Sequence, residues 1–100
     1  MTGPSDGDLL RELFDVIEDR KETLPEGSYT AALFTHEKGK NRVLEKVGEE
    51  ATEFVLAAKD DDAAEMAQEG ADVVYHVLVA LSMHDVDVEE LLDVLRERRG

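Results

Sequence analysis

The sequence contains no cysteine and no tryptophan, and only two of its 100 residues are proline. Without cysteine the chain has no disulfide framework and no thiolate for metal binding or nucleophilic attack, which leaves its redox compartment open. No apolar run approaches the roughly 20 residues of a membrane span. Residues 1–6 also lack the charged and apolar regions of a signal peptide. We therefore expect a soluble, cytoplasmic protein with no membrane partner.

Positive charge is scarce as well, since 11 Lys and Arg residues stand against 25 Asp and Glu for a net charge of −14. This balance excludes a nucleic-acid partner, because phosphate backbones are bound by positively charged surfaces. The acidic residues are spread along the whole chain, which suits a halophilic protein in a cytoplasm of very high salt, where screening removes self-repulsion. The alternative is an acidic protein that works at ordinary salt.

Helical periodicity dominates the sequence, and no segment shows the alternation typical of a β-strand. A first helix is predicted from Leu9 onward, with Asp6 or Asp8 as its cap, and a short second helix is predicted with Thr30 as its cap. A chain of 100 residues buries only a modest core. Helical chains of this size often complete their core by dimerising, so a homodimer is expected.

Two long helices are predicted over about residues 41–59 and 63–83, with Asp60-Asp61-Asp62 as the turn and N-cap cluster between them. A last helix follows the capping box Asp87-x-x-Glu90. Four principal helices with short connections predict an all-α subunit that resembles a four-helix bundle. The predicted boundaries are residues 1–8 for a mobile tail and 9–99 for a single domain.

The two long helices carry acidic stripes, because residues three and four apart share one face of a helix. The first stripe comprises Lys46, Glu49, Glu50 and Glu53, and the second comprises Glu69, Asp72 and His76. Antiparallel packing would bring four or five carboxylates around one point. Such crowding needs a compensating cation, and hard oxygen ligands suit Mg²⁺, with Mn²⁺ as a possible substitute.

A plainer interpretation exists for the first of these helices. Its apolar residues form a stripe facing away from the glutamates, so it could be an ordinary amphipathic helix with a solvated acidic face. That apolar stripe comprises Leu44, Val47, Ala51, Phe54, Val55 and Ala58. Asp72 argues for a metal, because it interrupts an almost wholly apolar segment, and a buried, unpaired charge is costly.

A cationic segment precedes the acidic stripes and contains Lys38, Lys40, Arg42 and Lys46. It is not a P-loop, because the Gly-x-x-x-x-Gly-Lys-Ser/Thr pattern is absent. We interpret these four residues as ligands for a polyphosphate, since positive charge beside a carboxylate–metal site meets the needs of such a group. The alternative is that they only balance acidic neighbours at the surface.

These motifs together resemble the phosphoribosyl-ATP pyrophosphatase family of histidine biosynthesis. The resemblance rests on the block Lys46-Val47-Gly48-Glu49-Glu50, on Glu69-x-x-Asp72-x-x-Tyr75-His76 and on Ser28-Tyr29-Thr30. The broader superfamily, the all-α nucleoside triphosphate pyrophosphohydrolases, carries a Glu-x-x-Glu, spacer, Glu-x-x-Asp signature. In this chain the signature corresponds to Glu50, Glu53, Glu69 and Asp72, which the resemblance implies are metal ligands.

The resemblance also implies an intertwined dimer and hydrolysis of phosphoribosyl-ATP to phosphoribosyl-AMP and pyrophosphate. Glu49, Glu50 and Glu53 would then be catalytic, with Glu49 either a further ligand or the base that activates water. Tyr29, Thr30 and His76 would contact substrate, although plain packing is the alternative for Tyr29 and His76. Two rival functions stay open, namely a housekeeping pyrophosphohydrolase of non-canonical nucleoside triphosphates and a non-catalytic helical dimer module.

Overall fold

A computed structural model describes residues 8–100, and every element in that range is a helix. The prediction of an all-α fold is confirmed. The predicted tail lies outside the described residues apart from Asp8. The helices are α1 (Leu9–Thr23), α2 (Tyr29–Phe34), α3 (Lys40–Lys59), α4 (Ala63–Met83) and α5 (Val88–Arg98).

Two of the predicted helix caps are confirmed. The Asp62 side chain accepts a hydrogen bond from the Glu65 backbone N–H at 3.1 Å, and so begins α4 at the predicted residue. The Asp87 side chain accepts from the Glu89 backbone N–H at 2.9 Å at the start of α5. Short polar side chains at these positions satisfy backbone donors that would otherwise lack partners.

The cap prediction for α2 was wrong, and that for α1 is met by Asp8 in position only. Ser28, not Thr30, caps α2, because its hydroxyl accepts from the Ala31 backbone N–H at 3.1 Å and the helix begins one residue before Thr30. Asp8 precedes α1 without a side-chain cap bond, and its carboxylate instead pairs with Arg11 at 2.9 Å. The predicted alternative cap, Asp6, lies outside the described residues.

The hydrophobic core lies at one end of the molecule, where α1, α2 and α5 surround the first turn of α3 and the second half of α4. Its buried members are Phe14, Ile17, Leu33, Val43, Leu78, Val79 and Val88. Arg11 of α1 is ion-paired with Glu89 of α5, which connects the first and last helices. The rest of α3 packs mainly against α4, so these two helices form an antiparallel pair that extends beyond the core.

The apolar stripe of α3 is not part of this core. Leu44 is 51% exposed, Phe54 36% and Val55 54%. Farther along the stripe, α3 and α4 border a groove of about 270 Å³ lined by Ala51, Phe54, Val55, Gly70 and Val73. Nothing in the described part of the chain covers this apolar face.

None of the helices described is long and apolar enough to cross a membrane.

Candidate active site

The α3–α4 pair places the two acidic stripes near enough for their charges to interact. The pKa of Glu69 on α4 is raised above its ordinary value, first by loss of hydration and then by the charges of Asp72, Glu65, Glu53 and Glu50. Because Glu50 and Glu53 belong to α3, the repulsion acts across the groove between the helices. We call this region, bounded by Glu50 and Glu53 on one side and by Glu69 and Asp72 on the other, the acidic groove.

Glu50 is the most buried carboxylate of the groove, with 9% of the residue exposed. Its Oε1 atom is fully enclosed and makes no hydrogen bond. The Lys46 ammonium group, one helical turn earlier, lies 3.7 Å from Oε2 and compensates part of the charge. A buried carboxylate oxygen without a hydrogen bond is costly and therefore indicates a missing partner.

The sequence argument assigned this buried position to the wrong residue. Asp72 is only partly buried, whereas Glu50 is enclosed. The reason is that Asp72 lies on the part of α4 that extends beyond the core, so the apolar residues around it face α3 on one side and solvent on the other. Glu49 and Glu53 are exposed. A buried carboxylate still needs a compensating cation, but that carboxylate is Glu50 and not Asp72.

Within residues 8–100, no three His, Cys, Asp or Glu side chains converge closely enough to hold a metal ion as they stand. The donor set nevertheless fits Mg²⁺, because it offers only carboxylate oxygens, one of them enclosed and unsatisfied, in a place where like charges already repel. Exposed glutamates such as Glu53 have the rotamer freedom to turn toward an ion. The proposed ligands are therefore close to one another without forming a finished site.

His76 lies beside Glu50 and is buried, with 4% of the residue exposed. Its Nδ1 atom is 2.9 Å from the backbone oxygen of Asp72 and 2.6 Å from Oε1 of Glu50. On the other side of the ring, Nε2 is 2.9 Å from the hydroxyl of Tyr29. His76 thus connects the start of α2 with the acidic groove.

Tyr29 and Thr30 both contact α4, but only one of them is accessible. Thr30 is buried, and its hydroxyl bonds the hydroxyl of Tyr75. Tyr29 is 54% exposed, although its hydroxyl is bonded to His76. The pKa of Tyr29 is raised by loss of hydration, which outweighs the opposing effect of nearby Lys46. Substrate contact by Tyr29 and Thr30 stays a prediction.

The cationic segment divides into two groups. Arg42 and Lys46 lie close enough to the Tyr29 hydroxyl to affect its pKa, which places their charges beside the acidic groove. Lys38 pairs with Glu45 at 3.2 Å, as Arg42 also does at 3.5 Å, and these contacts, with Lys38 the larger, lower the pKa of Glu45. Lys40 is exposed at the first position of α3. Arg42 and Lys46 are therefore better placed than the other two to meet an anion at the groove.

Tyr75 is a site residue to which the sequence argument assigned no role. Its hydroxyl bonds Thr30, and its ring meets the His76 ring edge-on at a centroid distance of 5.5 Å. Tyr29 meets the same imidazole edge-on from another side, at 5.9 Å. The adjacency of Tyr75 and His76 within the motif was the available signal, but only the fold shows that both reach α2.

Fold and motifs together define a class, namely an all-α protein in which a Glu-x-x-Glu motif and a Glu-x-x-Asp motif face each other across one antiparallel helix pair. Glu50 and Glu53 form the first motif, and Glu69 and Asp72 form the second. The chain belongs to the phosphoribosyl-ATP pyrophosphohydrolase family, whose model matches residues 10–99. The resemblance inferred from the motifs is thereby confirmed.

Individual relatives agree with this assignment. A phosphoribosyl-ATP pyrophosphatase from Halobacterium salinarum strain R1 is 70% identical over 93 residues, covering 92% of this chain and 98% of the relative. One from Haloarcula marismortui is 64% identical and covers 93% and 95% respectively. A histidine biosynthesis bifunctional protein HisIE from Parasynechococcus marenigrum is 48% identical over 93% of this chain and 41% of its own length. The two haloarchaeal relatives fit the prediction of a halophilic protein.

Proposed function

We propose that this chain hydrolyses phosphoribosyl-ATP to phosphoribosyl-AMP and pyrophosphate, the second step of histidine biosynthesis. The observation that carries the proposal is the family match over residues 10–99 in a chain whose two acidic motifs meet across α3 and α4. A phosphorylated intermediate of biosynthesis is made and used inside the cell, so we place the activity in the cytoplasm.

Glu50, Glu53, Glu69 and Asp72 would hold Mg²⁺, or Mn²⁺ in its place. A bound divalent ion would neutralise negative charge on the phosphate oxygens and on the pyrophosphate leaving group. The enclosed carboxylate of Glu50 supports this role, because its Oε1 atom lies 2.6 Å from Nδ1 of His76 but makes no hydrogen bond that would satisfy its charge. The raised pKa of Glu69 supports it too, since loss of hydration is its largest cause and an ion would relieve the repulsion that adds to it.

The remaining chemistry belongs to the chain's own residues. The oxygen of a water molecule attacks phosphorus while the bond joining the α- and β-phosphates breaks and pyrophosphate leaves. A carboxylate must accept the proton of that water, and Glu49 is the candidate because it is exposed, one residue from Glu50. Arg42 and Lys46 would bind the phosphates from the side of Tyr29, with Lys38 and Lys40 supplying charge farther out.

We further propose a homodimer in which the exposed face of α3 packs against a second copy. Leu44, Gly48, Ala51 and Val55 recur at spacings of four, three and four residues, so they lie along one face of α3. Leu44 and Val55 are more than half exposed. A Cβ atom at Gly48 would meet nothing within 4 Å in the described chain, although glycine costs a helix up to about 1 kcal/mol. Close approach of a partner helix accounts for both features.

The proposal is tested by pyrophosphate release in molar salt with Mg²⁺. Phosphoribosyl-ATP is compared with ATP, the other ordinary nucleoside triphosphates and deaminated analogues such as ITP and XTP. Turnover confined to phosphoribosyl-ATP, and lost in Glu53→Gln, is the expected result. Turnover of the analogues instead would assign the chain to housekeeping hydrolysis. A folded protein that turns over nothing with Mg²⁺ present would be the non-catalytic helical module.

A further inference from the structure

The hydrogen-bonding neighbours of His76 determine which ring nitrogen carries hydrogen. Nδ1 lies within 2.9 Å of two oxygen atoms, the backbone carbonyl of Asp72 and Oε1 of Glu50. A carbonyl and an ionised carboxylate only accept, so Nδ1 must be a donor. In the neutral ring this leaves Nε2 as the acceptor for the Tyr29 hydroxyl at 2.9 Å.

The contact between Nδ1 of His76 and Oε1 of Glu50 is short, but it is not a hydrogen bond. The Nδ1–H bond is directed at the Asp72 carbonyl, and the Glu50 oxygen, 2.6 Å from the same nitrogen, lies off that line. The imidazole edge therefore limits where the Glu50 carboxylate can turn and leaves Oε1 able to accept a second partner. The orientation of the Glu50 carboxylate is therefore fixed before an ion binds to it.

Both ring nitrogens of His76 are thus occupied inside the protein, and the ring is enclosed between two tyrosines. Tyr29 and Tyr75 contact it edge-on, and Tyr75 also bonds Thr30. Two tyrosine contacts connect the start of α2 with α4. Tyr29 of α2 bonds His76 of α4, and Tyr75 of α4 bonds Thr30 of α2. A ring held in this way has no free nitrogen for substrate or metal, so it can act only through its neighbours.

We propose that His76 is a positioning residue that orients the Glu50 carboxylate toward the acidic groove, and that Tyr29 acts on the groove through His76. This inference rests on the proposed function only in taking Glu50 as a metal ligand. It differs from substrate binding, because it assigns to His76 and Tyr29 an effect on metal affinity that exists before any nucleotide is bound.

Two near-isosteric variants separate the two sides of the ring. In His76→Asn the amide nitrogen takes the position of Nδ1, so the N–H donor beside Glu50 is kept and the contact with Tyr29 is lost. In His76→Gln the side-chain amide reaches the position of Nε2, so the contact with Tyr29 is kept and the N–H donor beside Glu50 is lost. His84→Asn and His84→Gln serve as matched controls, because His84 is an exposed residue at the end of α4.

The primary readout is Mn²⁺ affinity measured by electron paramagnetic resonance without nucleotide, alongside urea unfolding of the metal-free protein. Loss of an outer partner of a metal ligand typically weakens metal binding about 10- to 100-fold. We expect that loss in His76→Gln, and a smaller loss of about threefold in both His76→Asn and Tyr29→Phe, which remove only the contact between Tyr29 and the ring. Neither His84 variant should change the affinity. Where an enzyme assay is possible, His76→Gln should raise the Mg²⁺ concentration needed for half-maximal rate.

Equal Mn²⁺ affinity in His76→Asn and His76→Gln would overturn the proposal, as would a change confined to KM for phosphoribosyl-ATP. If neither variant folds, Tyr29→Phe decides, because it removes only a hydroxyl from a half-exposed ring. Unchanged Mn²⁺ affinity in Tyr29→Phe would then refute the coupling. Weakened Mn²⁺ binding in a protein that hydrolyses nothing would keep the positioning role and reject the proposed activity.

Discussion

Replacing Val55 by glutamate should separate the proposed dimer, because this side chain lies on the exposed apolar face of α3. Val55 is 54% exposed in the single chain. Burying an aliphatic side chain completely contributes about 1.5–3 kcal/mol, so roughly 1 kcal/mol remains to be gained at the interface by each copy. A twofold interface contains two copies. The loss is therefore at least about 2 kcal/mol, or roughly a 30-fold increase in Kd.

The assay is sedimentation velocity over a dilution series in molar KCl, where screening suppresses simple charge repulsion. Val94→Glu is the matched control, since Val94 is 45% exposed on α5, away from the α3–α4 groove. We expect Val55→Glu to shift the monomer–dimer midpoint at least about 30-fold and Val94→Glu to leave it unchanged. Equal shifts in both variants, or a wild-type protein that stays monomeric at every concentration, would refute the reasoning.

Three further predictions concern single side chains. Ser28→Ala should cost about 1 kcal/mol in urea unfolding, because it removes the side-chain cap of α2; a variant as stable as wild type would contradict that cap. The pKa of Glu69 is raised in the folded state, so stability falls as pH rises through the range just above the ordinary glutamate pKa. Glu69→Gln should therefore stabilise the metal-free protein at pH 7, lose that advantage in acid and destabilise it in saturating Mg²⁺. Gly48→Ala should favour the isolated helix by up to about 1 kcal/mol yet raise the dimer Kd, and an unchanged Kd would argue against close helix approach.

The helix pattern could be predicted from the sequence because it depends on local chemistry. Asp62 and Asp87 precede apolar periodicity as good caps do, and both begin helices where expected. Ser28 and Thr30 are equally good caps by composition, so choosing between them requires the backbone geometry of the loop. Asp8 makes no side-chain cap bond, because Arg11, three residues later, competes for its carboxylate.

Burial was harder to predict, because it depends on where a helix lies in the fold. The apolar surroundings of Asp72 suggested enclosure, but that part of α4 extends past the core, and Glu50 is the enclosed carboxylate instead. The contact between Tyr29 and His76 joins residues 47 positions apart. No local pattern indicates such a pair, although the motifs contain both residues.

The most direct test of the central claim is pyrophosphate release from phosphoribosyl-ATP by the wild-type protein and Glu50→Gln, at graded Mg²⁺ in molar salt. Glutamine keeps the shape of the side chain and removes the charge of the enclosed carboxylate. The account predicts Mg²⁺-dependent release by the wild type and a large loss of rate in Glu50→Gln that added Mg²⁺ restores only in part. Release that is independent of Mg²⁺, or a Glu50→Gln variant with the wild-type Mg²⁺ response, would contradict it.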